Sequence, residues 1–219
     1  MEDYNIIVAN GHLPRTRRIT NLIEKARHVI VCDGGINNYF SYTSRIPDFV
    51  VGDGDSVNRT ILLKRNIPFV KLEDQETNDL TKALMFGMER GWNGYVVIGA
   101  TGGREDHSLA NIFLLGHYLD MGIRVWMVGV KGYFVPFKGL FDEKIGRKRV
   151  ISIFSIDNQP VTASGLEFPV QNRTFRELWE GSLNKSVEDR VRIECPGRVI
   201  LFIGKKASKA SLEEDDDFD

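Results

Sequence analysis

Asp33, Asp53, Asp55, Asp79 and Asp106 each sit a few residues past a short apolar run. Asp33 opens Asp33-Gly34-Gly35 after Val29-Ile30-Val31-Cys32, and Asp53 and Asp55 lie in Gly52-Asp53-Gly54-Asp55-Ser56 after Phe49-Val50-Val51. Asp79 closes Asp74-Gln75-Glu76-Thr77-Asn78-Asp79 after Phe69-Val70-Lys71-Leu72. Asp106 belongs to Gly99-Ala100-Thr101-Gly102-Gly103-Arg104-Glu105-Asp106-His107 after Tyr95-Val96-Val97-Ile98. If the runs are strands of one parallel sheet, all five acids reach its carboxyl edge, where ligands of open α/β sheets bind. Gathered carboxylates repel one another unless a cation and a ligand neutralise them. The pattern is that of a metal-dependent phosphate site.

Each piece also has a plainer reading. In an extended segment Asp53 and Asp55 point the same way, roughly 6.5–7 Å apart at the backbone, and can converge on one hydrated magnesium or on two phosphate-bridged ions. The alternative is a Gly/Asp turn after a strand. An EF-hand is excluded, since no third ligand, glycine and distal Glu follow. In 99–107 the glycines allow close backbone approach, a helix starting near Glu105 or Asp106 aims free N–H groups at the same spot, and Arg104 offers a planar fork to phosphate oxygens. The loop is neither Walker A nor GxGxxG, and a glycine turn with a capping Asp is its plain counterpart. Asp79 in a first helical turn complements the helix dipole regardless of ligand. Asp33 is either a turn residue or a ligand to ribose or metal.

The elements that must hold these residues are strands at Ile6–Ala9, Val29–Cys32, Phe49–Val51, Phe69–Leu72, Tyr95–Ile98 and Val125–Val128, short and non-alternating as doubly covered strands are. Leu80, Ala83, Leu84 and Met88 mark one helix stopped by Gly91; Leu109, Ile112, Phe113 and Leu119 mark another stopped by Gly122. Met85, Met88, Trp92 and Trp126 read as core packing. After residue 140 come strand-like runs at Val150–Ile156, Val161–Ala163, Leu166–Val170, Val187–Ile193 and Val199–Ile203, with one possible turn of helix at Phe175–Trp179. The expected architecture is an α/β domain over 1–140 with a mainly parallel, Rossmann-like sheet, then a small antiparallel β-sandwich over 141–204 and a disordered acidic tail over 205–219.

Among 219 residues, 42% are hydrophobic and 27% charged, with a formal net charge of −1, so no global basic field draws the chain to nucleic acid or anionic lipid. No apolar run reaches the roughly 18 residues of a membrane span, and the start reads as a first strand rather than a signal peptide. The two cysteines, Cys32 and Cys195, are expected as buried free thiols in a reducing cytoplasm. The four histidines lack zinc-site spacing.

Taken together, Asp33-Gly34-Gly35, Pro47–Ser56, Asp74–Leu80 and Gly99–His107 resemble the motifs of thiamine pyrophosphokinases, and Gly165–Phe168 and Gly181–Asn184 resemble that family's C-terminal motifs. The resemblance implies magnesium-dependent transfer of pyrophosphate from ATP to the hydroxyl of thiamine, with AMP leaving, by a cytoplasmic homodimer whose active sites lie at the subunit interface. It implies that Asp53, Asp55, Asp79 and Asp33 hold magnesium and the ATP phosphates. Gly34, Gly35, Gln75, Asn78, Thr101, Gly102, Gly103 and Arg104 would contact the nucleotide. Gln75, Asp106, Phe168, Ser182, Leu183 and Asn184 would meet thiamine. Asp55, Asp79, Arg104 and Asp106 would carry the chemistry, with either Asp79 or Asp106 taking the hydroxyl proton.

The chain departs from the family pattern in several places. Gly54 stands where a Phe is usual and Asn78 where a Thr is common. Phe168 replaces Trp or Tyr, which weakens cation–π attraction, and Leu183 replaces a small hydroxyl residue. The alternatives are a kinase or pyrophosphokinase of the same fold for another small alcohol, and a non-catalytic nucleotide- or thiamine-sensing module.

Overall fold

A computed structural model of the chain describes residues 3–13, 15–74 and 76–206. Residues up to Val130 form one compact unit and those from Lys131 onward a second.

In the first unit six strands lie parallel: β1 (Asn5–Val8), β2 (Val29–Cys32), β3 (Phe49–Gly52), β4 (Phe69–Lys71), β5 (Tyr95–Ile98) and β6 (Val125–Val128). They fall within a residue or so of the expected runs. Every residue of β1, β2 and β5 is buried, as their unbroken apolar character requires. Their order is β6-β5-β1-β2-β3-β4. The chain builds outward from β1 to β4 and then returns to place β5 on the other side of β1. The crevice between the ends of β1 and β5 is therefore the switch point at which such sheets bind ligands.

Among the described residues these strands are accompanied by α1 (Arg17–Lys25), α2 (Ile36–Tyr39), α3 (Arg59–Arg65), α4 (Asp79–Met88) and α5 (Glu105–Asp120). Helices α4 and α5 start where expected. Helices α1 and α3 go beyond the sequence reading, although both carry start signals. The Thr16 side chain accepts from Ile19 N, and that of Asn58 from Thr60 N. Along α5 the buried side is set by Leu115 and Tyr118, while Leu109 and Phe113 of the expected face are exposed. Met85 is likewise exposed rather than in the core, and Trp92 stacks on His28 with ring centroids 3.9 Å apart.

Helix α1 ends on a cap from outside itself. The Arg45 guanidinium donates to the carbonyls of Ile23, Glu24, Ala26 and Arg27 at 2.7–3.3 Å, satisfying oxygens that the helix end leaves open. Arg45→Ala is expected to cost about 1.5–3 kcal/mol, the range for hydrogen bonds to a charged group. An unchanged denaturant midpoint would remove Arg45 from this role.

The second unit is antiparallel throughout: β7 (Gly132–Lys144), β8 (Arg149–Ser155), β9 (Val161–Ser164), β10 (Val170–Arg173), β11 (Asn184–Lys185) and β12 (Arg190–Lys206). It begins earlier than residue 140 because β7, whose Gly132, Pro136 and Gly139 look like turn residues, is one long strand. It pairs with β12 from Gly132↔Gly204 to Lys144↔Arg190. The expected strand at Val187–Ile193, from Arg190 on, and that at Val199–Ile203 are parts of this single β12. Pro196-Gly197 fall in a register shift between Cys195 and Arg198, where a missing N–H is harmless. The expected strand at Leu166–Val170 is instead a lone bridge from Leu166 to Ser186, followed by β10. A short 3-10 turn spans Leu178–Gly181, overlapping the turn expected at Phe175–Trp179 only at Leu178 and Trp179. Both cysteines are buried and free. The acidic end of the chain, from residue 207, lies outside the described residues.

Asp157 accepts from the backbone N–H and the guanidinium of Arg198, which holds its carboxyl at about 2, below the usual 3.8. A depressed folded pKa contributes stability above the unfolded value and loses it as pH falls through the folded one. Asp157→Asn is therefore expected to lower the thermal midpoint by a few degrees at pH 7. The gap to the unaltered protein should narrow from about pH 5 downward; a gap independent of pH would refute the assignment.

Candidate active site

Three of the five aspartates meet. Carboxylate oxygens of Asp33, Asp53 and Asp55 lie within 4.8 Å of one another. Asp33, 1% exposed, follows β2 in a 3-10 turn. Its Oδ1 accepts from Gly54 N at 3.1 Å and its Oδ2 from Ser56 N at 2.9 Å and from the Ser56 hydroxyl. A carboxylate that accepts several N–H and O–H bonds is held in place by them. Asp33 thus shapes the loop that presents the other two acids. Gly52 makes this possible, since a Cβ there would stand 2.5 Å from the Asp33 Cβ.

Asp53 and Asp55 converge by a turn, not by the extended segment expected. Gly54 has φ +88°, and Asp53 Oδ1 accepts from Asp55 N at 3.1 Å. Gly54, lacking a Cβ, adopts this φ more readily than any other residue. Its backbone N–H is one of those that Asp33 holds.

Asp79 stands outside that trio as the first residue of α4, half-exposed. Burial pushes its carboxyl above the ordinary carboxylate range; Lys82 pulls it down, and the charges of Asp33 and Asp53 push it up again. Lys82 Nζ lies 3.4 Å from Asp79 Oδ1, and Lys82 is only 6% exposed. A buried ammonium needs anionic company, and one carboxylate at this distance leaves its other donors for a ligand. Lys82 escaped the sequence reading. Its spacing from Asp79, a single helical turn on, was the available signal.

Opposite lies the glycine-rich loop after β5. Gly99 and Gly102 have φ of +68° and +79°, and Gly11 N donates to the Gly99 carbonyl at 2.6 Å. Arg104 precedes α5 and forms a two-point ion pair with Asp106, Nε to Oδ1 at 3.1 Å and Nη2 to Oδ2 at 2.6 Å. That pair holds the Asp106 carboxyl at about 2. The Arg104 side chain is 73% exposed, so the pair is worth little in water and exchanges readily for a stronger anion.

Between these walls is a pocket of about 490 Å³ at the switch point, lined by Asn10, Gly11, Asp53, Asp79, Lys82 and Arg104 among others. Asn78, Gly103 and Asn111 also line it. Gly34 and Gly35 lie in the 3-10 turn, where a Cβ on Gly34 would meet the Asn10 amide at 2.6 Å. Asn10 and Gly11 carry no chemical signature in sequence; only the strand order brings them here. Gln75 lies outside the described residues.

In the second unit a separate pocket of about 390 Å³ is lined by Phe168, Arg173, Phe175, Glu180, Ser182 and Asn184, with further residues. Asn184 accepts from Phe168 N at 3.1 Å and donates to the Phe168 carbonyl at 2.7 Å, so it holds that ring's backbone in place. Phe168 is 66% exposed. The Ser182 hydroxyl donates to the Trp179 carbonyl at 2.6 Å. Leu183, with φ +60°, is 81% exposed and does not line the pocket.

The first unit is thus a parallel α/β protein with clustered acids, a buried lysine and a glycine-rich loop at its switch point. Residues 19–127 match the family model described as thiamin pyrophosphokinase, catalytic domain, and residues 132–202 that described as thiamin pyrophosphokinase, substrate-binding domain. The chain belongs to the thiamin pyrophosphokinase family.

It is 32% identical over 135 residues to the Bacillus subtilis thiamine pyrophosphokinase, covering 58% of this chain and 63% of that one. To the Caenorhabditis elegans thiamin pyrophosphokinase 1 it is 32% identical over 113 residues, covering 48% and 46%. The match thus spans about half of the nematode protein's length. To the Arabidopsis thaliana thiamine pyrophosphokinase 1 it is 28% identical over 243 residues, covering 96% and 90%. The crystal structure of the B. subtilis protein shares the fold with a TM-score of 0.79 at 23% identity, covering 94% of this chain and all of that one. That of the yeast protein gives 0.78 at 15% identity, covering 93% and 86%.

Proposed function

We propose that this chain transfers the terminal diphosphate of ATP to the hydroxyl of thiamine, giving thiamine diphosphate and AMP. The observation that carries the reading is the meeting of Asp33, Asp53 and Asp55 beside a switch-point pocket that also holds Asp79, Lys82 and Arg104. In the proposed step the thiamine oxygen bonds to the β-phosphorus and the bond from that phosphorus to the α–β bridging oxygen breaks, so the bridging oxygen leaves with AMP. Lys82 and Arg104 neutralise charge on the phosphates, Arg104 by releasing Asp106. Positioning and electrostatics supply most of the rate in such transfers. Asp79 suits the role of proton acceptor better than Asp106, because its carboxyl lies above the ordinary range whereas that of Asp106 is held at about 2 by Arg104.

The all-oxygen donor set of Asp53, Asp55 and Asp33 fits a hard divalent cation such as magnesium. Asp55 and Asp53 would be the principal ligands, and Asp33, whose oxygens already hold the loop, would orient them. When bound, such an ion supplies positive charge that offsets the triphosphate.

The first unit serves in this reading as a Rossmann-like nucleotide domain. The second serves as a β-sandwich that takes thiamine through Phe168, Ser182 and Asn184 and joins two copies in a cytoplasmic homodimer. Among the described residues no helix is long and apolar enough to cross a membrane.

Incubation with ATP, magnesium and thiamine tests the proposal. AMP and thiamine diphosphate are expected in equal amounts. ADP with thiamine monophosphate would mean γ-transfer, and nucleotide binding without turnover would mean a sensor.

A further inference from the structure

We infer that Asn111 is a positioning residue whose side-chain amide braces the first turn of α4 against the glycine-rich loop and thereby sets nucleotide affinity. The inference rests on the diphosphate-transfer reading above. Asn111 lies in the second turn of α5, and helical side chains lean toward the helix start, which carries this one back to the loop before it. Its Nδ2 donates to the Ala100 carbonyl at 2.9 Å, and its Oδ1 accepts from Asn78 Nδ2 at 3.0 Å. The Asn78 Oδ1 accepts from Thr81 N at 2.9 Å and so caps α4. Asn78, Ala100 and Asn111 all line the switch-point pocket.

Hydrogen-bonding capacity fixes the direction of this relay. A carbonyl only accepts, so Asn111 must turn its NH₂ to Ala100 and its oxygen to Asn78. Asn78 must then donate with its NH₂, which leaves its oxygen for the helix cap. One arrangement satisfies every member.

The two ends of the relay matter for different reasons. On the α4 side, the residues just past the cap are Asp79 and, one turn on, Lys82. On the loop side, Ala100 follows Gly99, which Gly11 N already ties to the end of β1. The Asn111 amide is therefore a further tie on the phosphate loop, and it sets how far that loop stands from the acid and the buried lysine. An amide uses only part of its capacity in two such bonds, so a second Nδ2 hydrogen remains for a bound nucleotide.

The test compares Asn111→Leu, which keeps the size and removes both bonds, with Asn78→Ser, which keeps a capping oxygen and removes only the donor. The double variant completes the cycle. Calorimetry with magnesium and a non-hydrolysable ATP analogue, KM values for ATP and thiamine, and thermal midpoints are measured for each. Asn111→Leu should weaken analogue binding roughly 10-fold, as the loss of one to two net hydrogen bonds predicts. Asn78→Ser should weaken it less, and the double variant no more than Asn111→Leu alone. The KM for thiamine should not move. A lowered midpoint with unchanged analogue affinity in Asn111→Leu, or strictly additive losses, overturns the inference while leaving the proposed reaction standing. Failure of the unaltered chain to bind the analogue overturns both.

Discussion

Asp55→Asn is expected to lower turnover of ATP and thiamine by on the order of 1,000-fold at saturating magnesium, with the folded structure retained. Removing one element of transition-state charge stabilisation typically costs 100- to 1,000-fold, and a ligand that also holds the ion belongs at the upper end. Asp55 is exposed, and among the described residues its carboxylate has no partner that a neutral amide would lose. Its backbone N–H, which donates to Asp53, is untouched. The variant therefore separates chemistry from stability, which Asp33 cannot do, since losing its buried carboxylate would release the loop at Gly54 and Ser56. A magnesium titration sharpens the test, because the half-saturating concentration should rise along with the loss of rate. A thermal midpoint that holds while rate and metal affinity both fall assigns Asp55 to the ion. Near-normal turnover with the same metal midpoint removes it from the site.

Lys82→Met is expected to reduce kcat/KM for ATP by roughly 100-fold, the lower end of the range for a preorganised electrostatic group. The lysine is almost wholly buried, which is costly for an ammonium unless anions surround it. Asp79 at 3.4 Å answers part of that need, and a bound phosphate would answer the rest. Methionine fills most of the same volume without charge, so packing around α4 should survive. The thermal midpoint should change little, or even rise, because replacing a buried ammonium relieves its desolvation while leaving Asp79 short of a cation. Arginine at this position should not restore the rate, since a planar fork does not fit where a compact point charge is enclosed. If kcat/KM for ATP stays within about twofold of the unaltered protein, Lys82 serves the fold and not the phosphates.

The two variants together probe what could and could not be read from residues in a row. Asp55 is visible as half of an Asp-Gly-Asp after an apolar run, a pattern that a plain turn explains as well until the other acids are set beside it. Lys82 is not, because a lysine in a helix is ordinarily a solvated one, and only the packing of α4 shows that this one is enclosed. The parallel strands were legible because doubly covered strands are apolar at every position. The extent of β7 was not, because Pro136 and the two glycines punctuate it and only pairing with β12 makes it a strand. The same blindness affected the pair Asp53 and Asp55. Their convergence was foreseen, but through an extended backbone, whereas Gly54 at φ +88° produces it by a turn. Asn10 and Gly11 were invisible for a topological reason: nothing local marks the end of β1 as half of a crevice until β5 returns beside it.

That return also sets an order of assembly. The acids of the cluster come from neighbouring stretches: β2 and β3 pair directly, and Asp33 holds Ser56 across a separation of 23 residues. The glycine-rich loop joins them only once β5 has come back to β1, a closure that the Asn5 amide and Gly94 carbonyl make across 89 residues. Entropy disfavours the wider ring by more than the narrower one, though the penalty grows only slowly with length. A nascent chain that has left the ribosome as far as β4 already contains every carboxylate of the cluster, and the proposed triphosphate site is complete some thirty residues of synthesis later, on the order of seconds.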